Sequence, residues 1–507
     1  MPAPERRIAA IDIGTNSIHM IVAELRRDGG YRVVDKEKEM VQLGLSSLGG
    51  APLSDEAMDR GVAAIAHMAE VARGWQAEEI VAVATSAVRE APNRRDFLRR
   101  VKEAADVRVK VISGEEEADY IYRAVRSAVE LDAGSTLLCI DIGGGSVELV
   151  VGTAREIYFT ASEPLGSLRL AQRFRLEETP RSQDVEACRI YAAEHLRKAA
   201  KRINLLGFDM CVGTSGTIQA LTNLAATAET TAAPALRTLS HGDLQNVVRT
   251  LVRSTLKQRV EGMGLDPKRA RNIVAGALVL DQTMRSLRIP SLLVCSVGIR
   301  EGIVESRLAG TPQRSGNSLR RKSALSLMGR SDCDKRHARH VAKLALRIFD
   351  QTRMLHALPD EAREVLEHAA LLHETGMQVS DRGYHKHTYY LIRHAQLRGF
   401  TEEQVILVAN VARYHRKSPP ADEHPNLEEL SSAQRGDVEK LAAILRIAEA
   451  LDRSHKQSVR DVAVRFNGNV RFSVRTRSDA AVEVAAATKR AKYFASLFEA
   501  KVRIEVS

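Results

Sequence analysis

The segment LLCIDIGGGSVELVVG, residues 137–152, predicts a β-hairpin in which both strands are buried. An apolar run is followed by a glycine-rich turn and a second apolar run, which is typical of strands covered on both faces. The segment IAAIDIGTNSIHMIVAEL, residues 8–25, has the same form, and Asp12 aligns with Asp141, which lies 129 residues later. Two copies of one hairpin predict two related domains that face each other.

Strand and helix patterns alternate through the first 310 residues, which predicts an α/β fold with a largely buried sheet flanked by helices. The polar, basic segment TPQRSGNSLRRK, residues 311–322, predicts a linker. From about residue 334 to 456 the pattern is almost wholly helical. A hairpin signal at Asn467-Gly468 then indicates a small α+β tail.

These changes of pattern divide the chain into four predicted domains. Eleven of the 15 histidines follow residue 330, whereas most of the glycines precede it, so the two halves differ in chemistry. The predicted domains are 1–130 and 131–310 (both α/β), 311–456 (helical) and 457–507 (small α+β).

The composition is that of a folded protein with a basic surface. The net charge of +11 favours a polyanionic partner, such as nucleic acid, an anionic membrane or polyphosphate. Aromatic residues make up only 4% of the chain, which argues against a nucleic-acid partner bound by base stacking. No apolar run approaches the ~20 residues of a membrane span. The five cysteines are far apart with no CxxC pair, which predicts a cytoplasmic protein without disulfides.

The turns of the two hairpins have the composition of phosphate-binding loops. Glycine lets the backbone approach a ligand closely and direct successive N–H groups at an anion. Side-chain donors accompany the turns, and carboxylates at the strand ends suit a divalent cation that bridges phosphate oxygens. These residues are the glycines Gly143, Gly144 and Gly145, the donors Thr15, Asn16, Ser17 and Ser146, and the carboxylates Asp12 and Asp141.

A third turn of this kind lies in MCVGTSGTIQAL, residues 210–221, between an apolar strand and a helical pattern. Its N–H groups are predicted to lie at a helix N-terminus, where anions bind readily. An ordinary strand-to-helix turn explains the pattern equally well. The turn residues are Gly213, Thr214, Ser215, Gly216 and Thr217. A weaker turn of the same type occupies residues 295–302.

Three glutamates open a helical pattern in VISGEEEADYIY, residues 111–122. Acidic residues in a first helical turn interact favourably with the helix dipole. From the residues alone, a charged helix start is therefore favoured over a catalytic carboxylate.

Seven short motifs occur in one order along residues 6–310: IDIGTNSIHMIV, ATSAVREA, ISGEEEA, IDIGGGSVELV, LGSLRLAQRF, GTSGTI and VGIREGIVE. This ordered set closely resembles the exopolyphosphatase / guanosine pentaphosphate phosphatase family of the actin-like (sugar kinase–Hsp70–actin) ATPase superfamily. The resemblance continues more weakly through LLHETGM, YHKH and VARYHRK. It implies two actin-like (RNase H-like) α/β domains, an HD-like helical domain, a small α+β C-terminal domain and a homodimer.

The resemblance also implies roles for individual residues. Glu117 matches the family's general base, which activates water for attack on the terminal phosphorus. Asp141 and Glu148 match acidic residues near Mg²⁺, for which Mn²⁺ is the alternative. Arg89 matches a residue placed to neutralise phosphate oxygens. The second and third glycine turns match the phosphate loops.

The predicted HD-like domain departs from the metal-binding HD pattern. A working HD phosphohydrolase binds metals through His, a His-Asp pair and Asp, whereas this chain has His373-Glu374 as its pair. Glu is longer by a methylene, and the last acidic candidates are Glu449 and Asp452, so we expect no second metal-dependent active site. The basic residues around 385–387 and 414–417 predict either a track for a phosphate chain or a solvated surface.

The sequence thus predicts a Mg²⁺-dependent exopolyphosphatase that releases orthophosphate from the end of inorganic polyphosphate. The closest alternative is a guanosine pentaphosphate 5′-phosphatase, since that substrate also presents a terminal phosphate. An actin-like ATPase or sugar kinase and a nucleic-acid-binding sensor are weaker alternatives, because a fold does not determine a function. Together with the predicted phosphate loops, the net charge of +11 favours polyphosphate as the polyanionic partner.

Overall fold

The computed structural model describes residues 6–26, 30–47, 49–132, 134–226, 236–308, 319–395 and 397–506. These residues form two compact units, one from the described residues up to 308 and one from those after 318. Each unit has its own hydrophobic core.

The first part of the α/β unit is a mixed sheet with strand order β3-β2-β1-β4-β5. Its strands are β1 (Arg7–Ile13), β2 (Ile18–Leu25), β3 (Tyr31–Glu39), β4 (Glu79–Ala84) and β5 (Val109–Val111). Its helices are α1 (Gly44–Ser47), α2 (Asp55–Gly74), α3 (Ser86–Glu90), α4 (Arg94–Ala105) and α5 (Gly114–Ala128).

The second part repeats this topology in the order β10-β11-β9-β6-β7-β8. Its strands are β6 (Leu137–Ile142), β7 (Val147–Gly152), β8 (Ile157–Glu163), β9 (Met210–Thr214), β10 (Leu236–Ser240) and β11 (Ser291–Cys295). Its helices are α6 (Ser167–Arg173), α7 (Ser182–Leu206), α8 (Gly216–Ala225), α9 (His241–Leu251), α10 (Pro267–Ser286) and α11 (Ile299–Leu308), with a π-helical turn at Gln258–Gly262.

The two predicted hairpins are confirmed, and they occupy equivalent places in the two sheets. β1 and β6 each pair antiparallel with the following strand, and each pairs parallel with a later strand on the other side. The turns close with matching hydrogen bonds, from Gly14 N–H to Ser17 O (3.1 Å) and from Gly143 N–H to Ser146 O (3.0 Å). Both central strands are almost fully buried, which explains their continuous apolar runs. The α/β prediction is therefore confirmed.

One helix of the predicted 131–310 segment packs on the first sheet. α11 lies against α5, β1 and β2. The approach is close because Gly302 has no side chain: a Cβ there would collide with the backbone carbonyl of Tyr120 on α5. This contact ties the end of the unit to the helix that carries Glu117.

The second unit is helical with a C-terminal sheet of strand order β12-β13-β14. Its helices are α12 (Leu319–Arg330), α13 (Lys335–Gln351), α14 (Arg353–His356), α15 (Asp360–Leu372), α16 (Tyr384–His394), α17 (Glu402–Arg413), α18 (Ser432–Ala450) and α19 (Ala481–Leu497), with 3-10 turns at Thr375–Gln378 and Pro425–Leu427. Its strands are β12 (Val459–Asn467), β13 (Asn469–Thr476) and β14 (Lys501–Val506).

The C-terminal sheet shares the core of the helices. Val459, Phe472 and Phe494 belong to the same buried cluster as Ile348 and Phe349 of α13. In addition, α19 packs along α18 and β12 along α13. A separate small domain after residue 456 is therefore not confirmed. So short a segment buries too little surface alone and covers its apolar face on the helices.

The predicted linker at 311–322 is only partly described. Residues 311–318 lie outside the described residues, whereas 319–322 form the start of α12. Arg320 and Arg321 pair there with Glu364 and Glu367 of α15 (2.6 Å each), so these basic residues anchor a helix. None of the described helices is both long and apolar enough to cross a bilayer.

Replacing Gly302 with alanine is expected to destabilise the α/β unit by ~1–3 kcal/mol, because the added methyl group meets backbone that must move. Urea unfolding followed by the fluorescence of Trp75, the single tryptophan, checks this. The control is Gly242→Ala on α9, where the nearest atom lies 3.8 Å from the added carbon. Equal unfolding midpoints for both variants would contradict the close packing of α11 on α5.

Candidate active site

A cleft of about 600 Å³ opens at the ends of β1 and β6. The tertiary structure gathers there turns that are far apart in the sequence. The predicted site residues that line it are Asp12, Thr15, Asn16, Ser17, Glu117, Asp141, Gly143, Gly144, Gly145, Ser146, Ser215, Gly216 and Thr217.

The remaining predicted residues lie behind this lining. Gly213 and Thr214 belong to strand β9, and the buried Thr214 hydroxyl donates to the carbonyl of Val297. These two residues end the strand that leads into the third turn, beneath the residues that line the cleft. Glu148 lies on β7 directly opposite Asp141. Arg89 of α3 reaches the cleft through its contact with a lining residue, described below.

Hydrogen bonds to α6 orient the backbone of the second glycine turn. Ser167 N–H donates to Gly143 O (2.9 Å) and Leu168 N–H donates to Gly144 O (3.0 Å). In a trans peptide the carbonyl and the following N–H point in opposite directions. The N–H groups of Gly144 and Gly145 therefore point away from α6, towards the cleft that these residues line. Successive N–H groups on one side form an anion-binding surface.

Gly145 also lets the two halves of the α/β unit approach closely. A Cβ at this position would collide with the side chains of Ser86 and Thr15, which belong to the first half. Arg169 links this turn to the first half, because its guanidinium donates to Gly145 O (2.8 Å) and to the Glu90 carboxylate (2.5 Å). The turn is therefore fixed from both halves of the unit.

The first turn is oriented in the same way by the segment after β3. Gln42 N–H donates to Asn16 O (2.9 Å), and Gly44 N–H donates to Thr15 O (2.8 Å). By the same peptide geometry, the N–H groups of Asn16 and Ser17 point to the other side. The two turns thus offer backbone donors to one cleft.

The third turn is strained and begins α8. Ser215 has φ 97° and ψ 156°, a region that favours glycine, and its hydroxyl accepts a hydrogen bond from Ile218 N–H (3.2 Å). Such a conformation costs ~1–3 kcal/mol and is concentrated at ligand sites. The Arg269 guanidinium lies where a Cβ of Gly216 would be. A helix N-terminus and a guanidinium therefore meet at this turn, which favours an anion.

The structure distinguishes the three glutamates that open α5. Glu116 forms a capping box with Ser113 and an ion pair with Lys110 (2.5 Å). Glu115 is exposed, whereas Glu117 is only 6% exposed and lines the cleft. The charged-helix-start interpretation thus fits Glu116, while Glu117 faces the cleft.

Arg89 holds the Glu117 carboxylate. Its Nη1 donates to Glu117 Oε2 (2.9 Å) and to Ile112 O (2.9 Å). Burial raises the pKa of Glu117 above its ordinary value, and Arg89 opposes this rise by favouring the charged form.

The predicted metal ligands form a group of carboxylates in which Glu148 is buried and Asp12 and Asp141 are half-buried. Burial raises the pKa of Asp12 to about 7, with Arg300 acting against the rise, and raises the pKa of Asp141 to about 7, with Glu117 and Asp12 adding to it. The pKa of Glu148 is raised well above its usual range by burial and by Glu117. Asp12 Oδ1 and Glu148 Oε2 are buried without a hydrogen-bond partner among the described residues. Such oxygen donors fit a divalent cation.

Comparison with known proteins agrees with this site. Residues 21–310 match the Ppx/GppA phosphatase family, and residues 319–479 match Ppx/GppA phosphatase domain III. The chain belongs to the Ppx/GppA phosphatase family. It is an enzyme, and its predicted class, a phosphoanhydride hydrolase, is confirmed. The domain III match crosses the boundary predicted at 456/457, in agreement with the shared core.

Several relatives of this phosphatase have been characterised. A guanosine-5′-triphosphate,3′-diphosphate pyrophosphatase of Vibrio vulnificus (strain YJ016) is 29% identical over 452 residues, which cover 89% of this chain and 88% of the relative. The crystal structure of an exopolyphosphatase from Cytophaga hutchinsonii has a TM-score of 0.57 at 29% identity, covering 61% of this chain and 100% of the other. The Aquifex aeolicus Ppx/GppA family member has a TM-score of 0.52 at 26% identity, covering 60% and 98%.

The cleft of this phosphatase is also lined by three basic residues that were not among the predicted site residues. Arg300, Arg269 and Lys38 line it, and together with burial they lower the pKa of His19 to about 3. Arg300 lies within the glycine turn at 295–302, which was a weak signal. Arg269 and Lys38 had no signal, because a lone basic residue on a helix or strand is usually solvated. Cations clustered in one cleft favour a multiply charged anion.

Gly145→Ala is expected to lower kcat/KM by ~10²-fold, because displacement of the turn by about an ångström misplaces the bound phosphate. Phosphate release from tripolyphosphate measures the effect. Gly143→Ala is the comparison, since the atom nearest its added carbon is Ser146 O at 3.4 Å. A loss at Gly143 as large as that at Gly145 would contradict the role of the close contact with Ser86.

Proposed function

We propose that this phosphatase hydrolyses the terminal phosphoanhydride bond of inorganic polyphosphate and releases orthophosphate. The proposal is carried by the placement of buried Glu117 in one cleft with the glycine turns. Phosphoanhydride hydrolysis requires neutralised phosphate oxygens, a phosphorus held in line and a water that loses a proton.

The turns and the cations of the cleft would bind the end of the chain. Backbone N–H groups of the first and second turns and the start of α8 would donate to phosphate oxygens. Arg300, Arg269 and Lys38 would neutralise charge from the same cleft. Donors fixed in advance need no reorganisation during the reaction, which is a large source of catalysis.

Glu117 would act as the general base. Arg89 occupies Oε2, which leaves Oε1 for the attacking water. As the water oxygen bonds to the terminal phosphorus, its proton passes to Glu117. The bond from that phosphorus to the bridging oxygen breaks, and the electron pair leaves with the shortened chain. Arg89 orients the carboxylate and favours its charged form.

Asp12, Asp141 and Glu148 would hold a divalent cation, Mg²⁺ or Mn²⁺. When bound, such an ion neutralises charge on the phosphate oxygens. Mg²⁺ is usually bound by one or two carboxylates together with substrate phosphates, and the buried oxygens of this group match that requirement.

The lining of the cleft favours a phosphate chain as substrate. Among the residues described there, glycines, hydroxyl side chains, amides and cations predominate, and none is Phe, Tyr or Trp. A nucleobase is commonly held by stacking on an aromatic ring, whereas phosphates need only donors and cations.

Guanosine pentaphosphate is the second candidate substrate. The Vibrio vulnificus pyrophosphatase supports it, because the similarity extends over 89% of this chain. Both substrates present a terminal phosphate to the same machinery. Membership of a phosphatase family favours hydrolysis over the kinase, ATPase and nucleic-acid alternatives. The homodimer, the cytoplasmic location and the HD-like relationship of the helices stay predictions.

We expect long-chain polyphosphate to give a higher kcat/KM than tripolyphosphate or guanosine pentaphosphate on one preparation. The measurement is orthophosphate release, with Mg²⁺ present and after its removal by a chelator. Release should stop without the metal and return when Mg²⁺ or Mn²⁺ is restored. A higher kcat/KM for guanosine pentaphosphate would assign the second candidate instead.

Glu117→Gln is expected to lower kcat by ~10²–10⁴-fold, because the amide does not accept the water's proton. Its similar shape preserves the contact with Arg89, so polyphosphate binding should be retained. The matched control is Glu116→Gln, which affects only the cap and the Lys110 ion pair. Full turnover in folded Glu117→Gln would exclude this residue as the base.

A further inference from the structure

A second group of metal-ligating side chains lies in the helical unit, and the phosphatase mechanism does not use it. His337 is on α13, Glu374 follows α15, and His455 lies in the turn after α18. Each offers one ligand atom, and these atoms lie within 4.8 Å of one another.

The His337 ring is held in the orientation of a metal ligand. Its Nδ1 lies 2.9 Å from Asp452 Oδ2. The carboxylate accepts this hydrogen bond, so Nδ1 carries the proton and Nε2 carries the lone pair. The other Asp452 oxygen accepts from Gln457 N–H (2.7 Å) and is fixed in turn. A carboxylate behind a histidine is the usual second-layer partner of a metal-bound imidazole.

Two of the three side chains in this cluster, His337 and Glu374, are buried, and the facing atoms do not bond to one another. His337 Nε2 and Glu374 Oε2 have no hydrogen-bond partner in the described part of the chain. Their side chains are 0% and 5% exposed. Glu374 Oε1 lies 3.9 Å from His337 Nε2 and 3.7 Å from His455 Nε2, which is too long for hydrogen bonds. Buried polar atoms that lack a hydrogen-bond partner are expected at a site that binds an ion.

Two neighbouring histidines differ in whether both of their ring nitrogens have a hydrogen-bond partner. His373 Nδ1 donates to Ala370 O (2.7 Å), and its buried Nε2 has no partner among the described residues. Its ring centroid lies 5.2 Å from that of His337. His415 is satisfied, because its Nε2 accepts from the Tyr384 hydroxyl (3.2 Å). His373 directly precedes Glu374 in the chain, and its ring lies beside that of His337.

We propose that His337, Glu374 and His455 bind one divalent transition-metal ion of the Zn²⁺ type. Two imidazoles and one carboxylate form a common zinc ligand set. Ligand atoms on a tetrahedral ion with ~2.1 Å bonds lie about 3.4 Å apart, so the two measured separations need to contract by only about half an ångström. The His455 ring is stacked on His337, with centroids 3.7 Å apart and planes at 4°. It tilts to direct Nε2 at the ion, which its turn position and 34% side-chain exposure permit.

This site differs in chemistry from the carboxylate group of the cleft. Mg²⁺ prefers oxygen ligands, whereas imidazole selects transition metals. The sequence analysis expected no second metal-dependent active site from the His373-Glu374 pair. The ligand set proposed here includes His455, and its role is to bind an ion that links three segments of the unit. Because metal binding favours the folded state, the ion stabilises this unit.

The test uses equilibrium dialysis of the full chain against Zn²⁺, with Mg²⁺ in millimolar excess to occupy the carboxylates of the cleft. We expect one tightly bound Zn²⁺ per chain and a rise in the melting temperature of several degrees. Glu374→Gln and His455→Ala should each weaken Zn²⁺ binding by ~10–100-fold or more and remove that rise. His455→Ala changes a partly exposed turn residue, so its folded state, checked by circular dichroism, is retained.

The control is His394→Ala, which removes an exposed histidine from the same unit and should leave Zn²⁺ binding unchanged. Absence of tight Zn²⁺ binding by the wild-type chain overturns the proposal. Unchanged binding in both Glu374→Gln and His455→Ala overturns it as well, since the ion then has other ligands. Phosphate release is not a readout of this test, so its result is independent of the proposed function.

Discussion

The candidate active site depends on hydrogen bonds accepted by the backbone carbonyls of the glycine turns. The carbonyl oxygens of Gly143 and Gly144 accept hydrogen bonds from the first turn of α6. Those of Thr15 and Asn16 accept hydrogen bonds from the segment after β3. Because each peptide is planar and trans, these bonds turn the next N–H groups towards the cleft. The anion-binding surface is thus a consequence of packing outside the cleft.

A second constraint is the burial of like charges. Burial raises the pKa values of Asp12, Asp141 and Glu148, and the nearby Glu117 carboxylate adds to each rise. Arg89 relieves Glu117, and a set of cations lies around the same cleft. The folded chain therefore holds opposite charges close together without pairing all of them, which leaves acidic atoms for a cation and basic groups for an anion.

In the helical unit, polar groups are buried inside an apolar core. The strands after residue 456 and the helices before it bury one continuous cluster, so the unit is not two independent bodies. His337 and His373 lie inside the unit and are oriented by Asp452 and by a backbone carbonyl. The hydrogen bond to Asp452 leaves His337 Nε2 facing Glu374 Oε1 at 3.9 Å, and the proposed metal site rests on this arrangement.

The sequence by itself determined the two hairpins, the α/β class and most of the cleft lining, because apolar runs, glycine turns and strand-end carboxylates are local patterns. The local pattern did not distinguish the three consecutive glutamates, and only the family resemblance singled out Glu117. The tertiary structure places Glu117 in the cleft lining and Glu116 in the cap of α5. It also decided that Arg269 and Lys38 reach the phosphate turns, that α11 packs on the first sheet, and that His455 meets His337. These contacts join residues far apart in the chain, and a local pattern carries no information on which distant side chains fold to the same point.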